Sequence, residues 1–266
     1  MSEPLVLVEQ NGAVCTLRLN RPKALNSFTA AMHEQLLAAL KQAATDSEVR
    51  CLVLTGAGRG FCAGQDLADE GAAPAPEGMP PTDFSVLIER YYRPLCELLR
   101  AMPVPVIAAV NGVAAGAGAN VALCCDLVVA TESANFIQAF TKIGLLPDSG
   151  GTWLLPRLVG RQQALGLALL GDKLSANEAQ RMGLIWRSVA DDAFEAEVQA
   201  LASRLAAMPT QALVTTRNAI DAAQHLDFGA ALALEAAEQK KLGSARDYLE
   251  GVSAFMAKRA PVFTDR

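Results

Sequence analysis

The 266 residues suffice for one large core or two unequal units, and a hydrophobic share of 52% excludes disorder as the main state. The formal net charge is −5, and no run of Lys or Arg is longer than Lys240-Lys241. Because nothing concentrates positive potential, we expect no nucleic-acid partner.

The N-terminus lacks a basic segment followed by an apolar run, so we expect no secretory signal and a cytoplasmic protein. The low-charge window 104–130 is Ala/Gly-rich and interrupted by polar residues, which favours a buried strand, turn and helix over a membrane span.

Strands and helices alternate along the first half of the chain. Alternating apolar and polar residues are typical of a half-buried strand, and short wholly apolar runs are typical of a buried one. After the first strand, apolar residues at helical spacing predict a helix of about four turns from Met32 to Asp46, and Gly116 is expected to open another. This repeated order predicts helices packed against a mainly parallel sheet. The predicted strands are 14–19, 51–55, 104–110 and 127–130.

Residues 69–82 interrupt this pattern with Ala, Pro and Gly and carry no apolar period. We expect a mobile loop there, and loops of this length inside compact domains are often functional. The pattern leaves open whether the loop is a lid over a site.

From Arg161 onward strands are expected to fade out. The sequence Ser175-Ala-Asn-Glu178 is a capping box, and Gly183 can end the helix that it starts. Helices are also predicted at 210–223 and from a cap at Ser244 toward Lys258. We therefore divide the chain near Arg204 into an α/β core, 1–204, and an all-helical C-terminal region, 205–266.

The six cysteines contain no C-x-x-C pair, and Cys124 and Cys125 are adjacent, so small buried side chains are the simplest interpretation. Of the two histidines, His33 falls within the first predicted helix and is interpreted as a surface or packing residue. His225 has no second metal ligand at helical spacing either, so we expect neither a zinc site nor a Ser-His-Asp triad.

Three segments carry candidate chemistry. Asp148 lies on a Pro-Asp-Ser-Gly-Gly turn among apolar or neutral neighbours, which suits a proton-transferring base. The turns at Gln65 and at Gly116-Ala117 can each expose a backbone N–H, the latter at the positive end of a helix. Together they would form an oxyanion site beside a base. The pattern leaves open that the small residues serve close packing and that the aspartate only forms a turn.

Four segments occur in a characteristic order and spacing: Arg21-Pro-Lys-Ala-Leu-Asn26, Phe61-Cys-Ala-Gly-Gln-Asp-Leu67, Asn111 to Gly118 and Glu250 to Arg259. In these motifs, and over essentially its whole length, the chain resembles the enoyl-CoA hydratase/isomerase superfamily, which has the crotonase fold. The resemblance implies an α/β spiral of repeated ββα units with a C-terminal helical oligomerisation region. It also implies an acyl-CoA thioester as substrate and a homotrimer or a dimer of trimers.

The resemblance implies roles for individual residues. The N–H groups of Gln65 and Ala117 would form the oxyanion hole for a thioester carbonyl, and Asp148 occupies the position of an aspartate in several isomerases and a dehalogenase of the superfamily. No cofactor or metal is implied, because CoA is part of the substrate. The implied substrate and CoA contacts are Lys23, Ala24, Leu25, Ala63, Asp66, Leu67, Gly116, Phe255 and Lys258, the last two reaching in from the same or a neighbouring subunit. By spacing alone, the simpler interpretation of these last two is an ordinary amphipathic pair.

Two departures narrow the implied reaction. Typical hydratases carry two glutamates that orient and activate water, and Asn120 and Phe140 occupy the corresponding positions. The run from Phe136 to Pro156 and the tail to Phe263 look most like the phenylacetate-pathway branch of the family. That resemblance implies an isomerase that opens a ring epoxide of a CoA thioester to an oxepin and that can also shift a 3-enoyl double bond to the 2-position. The alternatives are a general enoyl-CoA hydratase/isomerase of fatty-acid oxidation and a non-catalytic acyl-CoA-binding protein.

Overall fold

Ten strands in two sheets form the framework of the part of the chain that the structure describes, which comprises residues 3–69, 71–75 and 78–266 of a computed structural model. The strands are β1 (Val6–Asn11), β2 (Val14–Leu19), β3 (Cys51–Gly56), β4 (Gly60–Cys62), β5 (Val106–Val110), β6 (Val113–Ala115), β7 (Leu127–Thr131), β8 (Asn135–Ile137), β9 (Lys173–Ser175) and β10 (Arg187–Val189). The larger sheet has the order β1-β2-β3-β5-β7-β10 and is parallel beyond its first pair. The smaller sheet has the order β4-β6-β8-β9, with β9 antiparallel at its edge.

Along the chain, the helices follow single strands or pairs of strands. They are α1 (Ala30–Thr45), α2 (Phe84–Leu87), α3 (Arg93–Arg100), α4 (Ala117–Leu123), α5 (Gly151–Leu170), α6 (Ala176–Arg181), α7 (Phe194–Ala206), α8 (Thr210–Ala223), α9 (Phe228–Leu242) and α10 (Arg246–Met256). Three strands of the larger sheet, β3, β5 and β7, are each followed by a strand of the smaller one and then by helix, as in β5, β6, α4 and in β7, β8, α5, whereas β10 is followed directly by α7. The expected spiral of ββα units is therefore confirmed.

The main core lies between the two sheets and under α1, α3 and α4, and a second core lies between the far face of the larger sheet and α7. The four predicted strands correspond to β2, β3, β5 and β7, which are neighbours in the larger sheet. The first predicted helix is α1, whose start is capped by the Thr29 hydroxyl accepting the Met32 N–H. All six cysteines are buried and free, as expected.

The window 104–130 contains β5, β6 and α4, so the predicted buried strand, turn and helix are confirmed. Among the described residues, no helix has the length and apolar character needed to cross a membrane.

Two expectations about the second half are wrong. Strands do not fade out, because β9 and β10 complete the two sheets, each with three residues. Ser244 does not cap the last helix either: its hydroxyl donates to the Lys241 carbonyl (2.8 Å), and Ala245 occupies the N-cap position. Asp247 instead lies buried and accepts the N–H groups of Thr264 and Asp265 (2.9 and 3.1 Å), which folds the C-terminal tail back on α10.

Position 204 lies inside α7, which packs on the larger sheet, and α8 to α10 follow it. The Arg50 guanidinium donates to the carbonyls of Ala206 (2.7 Å), Met208 (2.8 Å) and Asp265 (3.1 Å), and so ties the C-terminal region to the start of β3. The functional division into 1–204 and 205–266 stays a prediction.

Candidate active site

The first candidate donor, the N–H of Ala117, lies at the start of α4. Gly116 precedes it with φ +52° and ψ −128°, a conformation that favours glycine. The Gly116 N–H donates to the Ile137 carbonyl (2.8 Å), so the end of β8 holds this turn in place. Because the first N–H groups of a helix have no acceptor within the helix, the Ala117 N–H is available to an external oxygen.

The second candidate donor lies on the turn after β4. Gly64 has φ +92°, and a Cβ on it would lie 2.9 Å from the Ala115 carbonyl oxygen and 3.5 Å from the Ala117 nitrogen. Phe28 pairs with this turn, since its N–H donates to the Gly64 carbonyl (2.7 Å) and its carbonyl accepts the Asp66 N–H (2.9 Å). Successive N–H groups of an extended segment face opposite ways, so the N–H of Gln65 is directed away from Phe28.

The three proposed catalytic residues border one cavity of about 180 Å³. Gln65, Ala117 and Asp148 all line it, although they come from three distant segments of the chain. Tyr92 contributes a further polar side chain, and the other lining residues are apolar or glycine. They are Ala63, Gly64, Leu67, Phe84, Leu87, Ile88, Gly116, Ala139, Phe140, Ile143 and Leu145.

Asp148 is the one carboxylate among these lining residues. Burial raises the pKa of its carboxyl group, and the hydroxyl of Ser149, which donates to Oδ1 at 2.9 Å, acts in the opposite direction. Its carbonyl accepts the Gly151 N–H and the Asn120 amide, both at 2.8 Å. Asp148 therefore forms a turn, which was the alternative interpretation of its sequence, and it also lines the cavity with its carboxylate. A carboxyl whose pKa is raised toward neutrality is suited to general base catalysis.

The two positions matched to hydratase glutamates differ in placement. Phe140 lines the cavity, whereas Asn120 is fully buried and lies behind it. The Asn120 amide bonds to the carbonyl of Asp148 and to the side chain of Gln138. Neither position supplies a carboxylate for water activation.

The residues expected to contact CoA fall into three groups. Ala63, Leu67 and Gly116 line the cavity. Lys23, Ala24 and Leu25 form a turn beside it, in which the Leu25 carbonyl accepts the Ala63 N–H (3.0 Å). Asp66 is not among the lining residues; it pairs with Arg21 at 2.9 Å, and this hydrogen bond lowers the pKa of Asp66.

Phe255 and Lys258 are not brought to the cavity of their own chain. Phe255 is 82% exposed and lines a separate groove of about 710 Å³ with residues of α8, α10 and the tail. Lys258 is also exposed and lies just beyond α10.

Sequence reasoning missed Tyr92. It ends a π-helical turn, Ile88–Tyr92, which joins α2 to α3 in a segment for which no helix was predicted. The Tyr92 hydroxyl donates to Oε1 of Gln65 at 2.7 Å, and its ring is 2% exposed. The adjacent tyrosines Tyr91-Tyr92, two of the three in the chain, were the available signal.

His33 is a packing residue, which confirms one of the two interpretations, and it is not at the surface. Its ring is 1% exposed and stacks between Phe28 (4.5 Å) and Tyr91 (5.3 Å), with Tyr92 edge-on at 4.5 Å. Burial lowers the pKa of His33 to about 4, so the ring is neutral at physiological pH. This aromatic cluster supports Phe28, which in turn holds the Gln65 turn.

The expected loop 69–82 includes positions 70, 76 and 77, which lie outside the described residues. The Asp69 carboxylate accepts the Ala30 N–H at 3.1 Å, and Ala72 is buried against Leu87 and Tyr91. The lid role stays a prediction.

Comparison with known proteins gives concordant matches. The sequence profile of the enoyl-CoA hydratase/isomerase family matches residues 9–266. The chain is 51% identical to the 1,2-epoxyphenylacetyl-CoA isomerase of Escherichia coli over 98% of both chains, and 47% identical to a probable enoyl-CoA hydratase of Rhodobacter capsulatus over 100% of both. The crystal structure of an enoyl-CoA hydratase from Bacillus anthracis matches with a TM-score of 0.89 and 31% identity, covering 98% of this chain and 100% of the other.

Proposed function

This chain belongs to the enoyl-CoA hydratase/isomerase family, and we propose that it is the isomerase that converts 1,2-epoxyphenylacetyl-CoA to oxepin-CoA in phenylacetate degradation. The observation that carries the proposal is that Asp148 is the one carboxylate among the described residues lining a cavity that the turns of Gln65 and Ala117 also line. The 51% identity to the E. coli isomerase supports the same substrate.

In the proposed mechanism the thioester carbonyl oxygen accepts hydrogen bonds from the N–H groups of Gln65 and Ala117. Because these donors stabilise the enolate, the carbon next to the carbonyl becomes acidic; removing one such donor typically lowers the rate by about 10²–10³. Asp148 removes the proton from that carbon. The carbon–carbon bond shared by the epoxide and the six-membered ring breaks to give the seven-membered oxepin, and Asp148 returns the proton to a ring carbon, so that no atom is gained or lost.

The cavity suits a six-membered hydrocarbon ring. Its volume is about 180 Å³, and an apolar cavity of about 150 Å³ is sufficient to hold benzene. Phe84, Leu87, Phe140 and Ile143 supply an apolar wall that disfavours bound water near the enolate. On a 3-enoyl-CoA the same base would move the double bond to the 2-position. The mechanism needs no cofactor, since CoA is part of the substrate.

We further propose a homotrimer or a dimer of trimers in which the C-terminal helices complete the CoA site. Phe228, Leu232, Leu249, Val252 and Phe255 are each more than 40% exposed, which is unusual for large apolar side chains that face only water. Phe255 and Lys258 do not reach the cavity of their own chain, so a neighbouring chain would receive them.

A general enoyl-CoA hydratase/isomerase is the alternative favoured by the 47% identity to the Rhodobacter protein. The resemblance implies that hydratases of this family use two glutamates. Here those two positions hold Asn120 and Phe140, and Asp148 is the one carboxylate among the described lining residues of the cavity.

The test is incubation of the purified protein with 1,2-epoxyphenylacetyl-CoA, followed by product mass and ultraviolet spectrum. We expect a changed spectrum at unchanged mass, because the reaction is an isomerisation. A product heavier by one water would favour the hydratase alternative. Absence of any reaction, together with no exchange in D2O of the proton next to the thioester carbonyl, would favour a non-catalytic binding protein.

A further inference from the structure

We propose that Asn120 and Gln138 are positioning residues that hold the Asp148 turn in register with the oxyanion donor on α4. The inference rests on the proposed role of Asp148 as the base, and it adds two residues behind the cavity to the machinery of that reaction.

Asn120 belongs to the same helical turn as Ala117. It is the fourth residue of α4, and its N–H donates to the Gly116 carbonyl at 3.2 Å, which closes that turn. Its side-chain Nδ2 donates to the carbonyl oxygen of Asp148 at 2.8 Å. One rigid turn of helix therefore carries both the proposed oxyanion donor and a hydrogen bond to the backbone of the base.

Gln138 determines which way the Asn120 amide faces. Its Nε2 donates to Oδ1 of Asn120 at 2.8 Å, and this bond directs the NH2 group of Asn120 toward Asp148. Gln138 follows β8, whose last residue, Ile137, accepts the N–H of Gly116. The same strand end thus holds the oxyanion turn through its backbone and orients the Asn120 amide through the next side chain.

The chain after Asp148 closes directly on this amide. A Cβ on Gly151 would lie 2.3 Å from Nδ2 of Asn120, so only glycine fits there. The N–H of Gly151 also donates to the Asp148 carbonyl at 2.8 Å. Two donors on one carbonyl occupy both of its lone pairs, which leaves the backbone of the base little freedom.

Both amide side chains lie in the interior of the protein, away from solvent. Asn120 is 0% exposed and Gln138 is 4% exposed. Buried amides are unfavourable unless they are hydrogen-bonded, and these two bond to each other and to the backbone of Asp148. Their contacts therefore link α4, the end of β8 and the Asp148 turn.

The proposal has a kinetic signature. Neither Asn120 nor Gln138 lines the cavity, so substrate contacts are unchanged when they are replaced. A misplacement of a catalytic group by about 1 Å can lower the rate by about a hundredfold. We expect Asn120→Leu and Gln138→Met to lower kcat by about ten- to a hundredfold while KM changes less than about threefold.

The pH profile supplies a second readout. Burial raises the pKa of Asp148, and a loosened turn admits water to its carboxylate. In both variants the acidic limb of the kcat/KM profile should therefore move to lower pH. The double variant should equal Asn120→Leu alone, because Gln138 acts through the Asn120 amide.

Thr55→Val is the matched control. The Thr55 hydroxyl is buried in β3 and donates to the Ala109 carbonyl at 2.8 Å, so its removal also deletes a buried hydrogen bond, but away from the cavity. It should leave kcat and the pH profile unchanged. Thermal melting of each variant identifies losses due to unfolding, and Gln138→Met, which keeps side-chain length, decides the matter if Asn120→Leu fails to fold.

The assay measures D2O exchange of the proton next to the carbonyl of a CoA thioester alongside isomerisation. Absence of both in the unmodified protein would overturn the assignment of Asp148, and with it the premise. If the unmodified protein is active, and the folded variants keep its kcat and the acidic limb of its pH profile, the positioning role alone would be overturned. Equal losses in Thr55→Val would do the same, since they would indicate a general structural effect.

Discussion

Asp148→Asn tests the proposed chemistry with the smallest change in shape. The asparagine Oδ1 can still accept the hydroxyl of Ser149 (2.9 Å in the parent), and the backbone carbonyl keeps its two donors from Gly151 and Asn120. The turn and the cavity should therefore remain, while the proton acceptor is lost.

The expected loss follows from the role of a general base. Such a group contributes about 10²–10⁴ to the rate, or about 2.7–5.4 kcal/mol at ~1.36 kcal/mol per factor of ten. We expect kcat to fall at least about a hundredfold, whereas KM should change by less than about threefold, because the N–H donors and the apolar wall are untouched.

Stability should change in the opposite direction. Burial raises the pKa of Asp148 in the folded protein, so the folded state binds this proton more tightly than the unfolded state. The stabilising contribution of the protonated carboxyl is present below the unfolded pKa of about 4 and is lost as the pH rises through the folded pKa. At pH 7 the ionised carboxylate is therefore unfavourable for folding, and asparagine should raise the melting temperature.

Turnover of 1,2-epoxyphenylacetyl-CoA and affinity for an unreactive CoA thioester should be measured separately, with calorimetry at pH 7. Asp172→Asn is the control, since it removes an exposed carboxylate that pairs with Lys142 at 3.6 Å outside the cavity. Turnover above about a tenth of the parent value would refute the assignment of Asp148 as base. An unchanged melting temperature would refute the argument from burial.

Four further outcomes are expected. The kcat/KM of the parent should fall at low pH with a midpoint above about 4, because burial raises the pKa of Asp148 and only the ionised form accepts a proton; a midpoint at or below that value would contradict this. Crotonyl-CoA should gain almost no water, and Asn120→Glu should not create an efficient hydratase, since position 120 lies behind the cavity and position 140 still lacks its carboxylate; 3-hydroxybutyryl-CoA from the unmodified protein would overturn the isomerase proposal. Tyr92→Phe should lower kcat about two- to tenfold, which is the range for one neutral hydrogen bond, because the substitution frees the side chain of Gln65. The hydroxyl of Tyr91 instead contacts Glu34 at 3.5 Å, so Tyr91→Phe should leave kcat unchanged. Light scattering should show an assembly larger than the 28.0 kDa chain, and truncation near residue 204 should abolish both assembly and activity; a single monomeric species at micromolar concentrations would exclude completion of the CoA site by Phe255 of another chain.

Local patterns were sufficient for part of the regular elements. The strand β2 was predictable because its apolar residues alternate with polar ones, and β3, β5 and β7 because each is a short buried apolar run. Helix α1 was predictable because its apolar stripe repeats at helical spacing. The capping box at Ser175 was also correct, since its hydroxyl accepts the Glu178 N–H at 3.3 Å within four residues of chain.

The elements β1, α3, α5 and α7 were not predicted either, and the other missed strands depend on partners elsewhere. The strands β4, β6, β8, β9 and β10 have three residues each, too few for a period, and they form only because they pair with one another or with the larger sheet. The cap expected at Ser244 failed for the same reason: the tail returns to Asp247 and changes the start of α10.

The amino-acid sequence by itself determined the family, the central strands and the identity of Asp148, Gln65 and Ala117 as candidates, because motif residues and periodicity are local properties. Only the tertiary structure decided that these three line one cavity, that Tyr92 joins them, and that Asn120 faces the backbone of Asp148 rather than the cavity. Such placements depend on the crossing of chain segments that are far apart in sequence. A side chain's role there is set by which segment packs against it, and no local spacing encodes that partner.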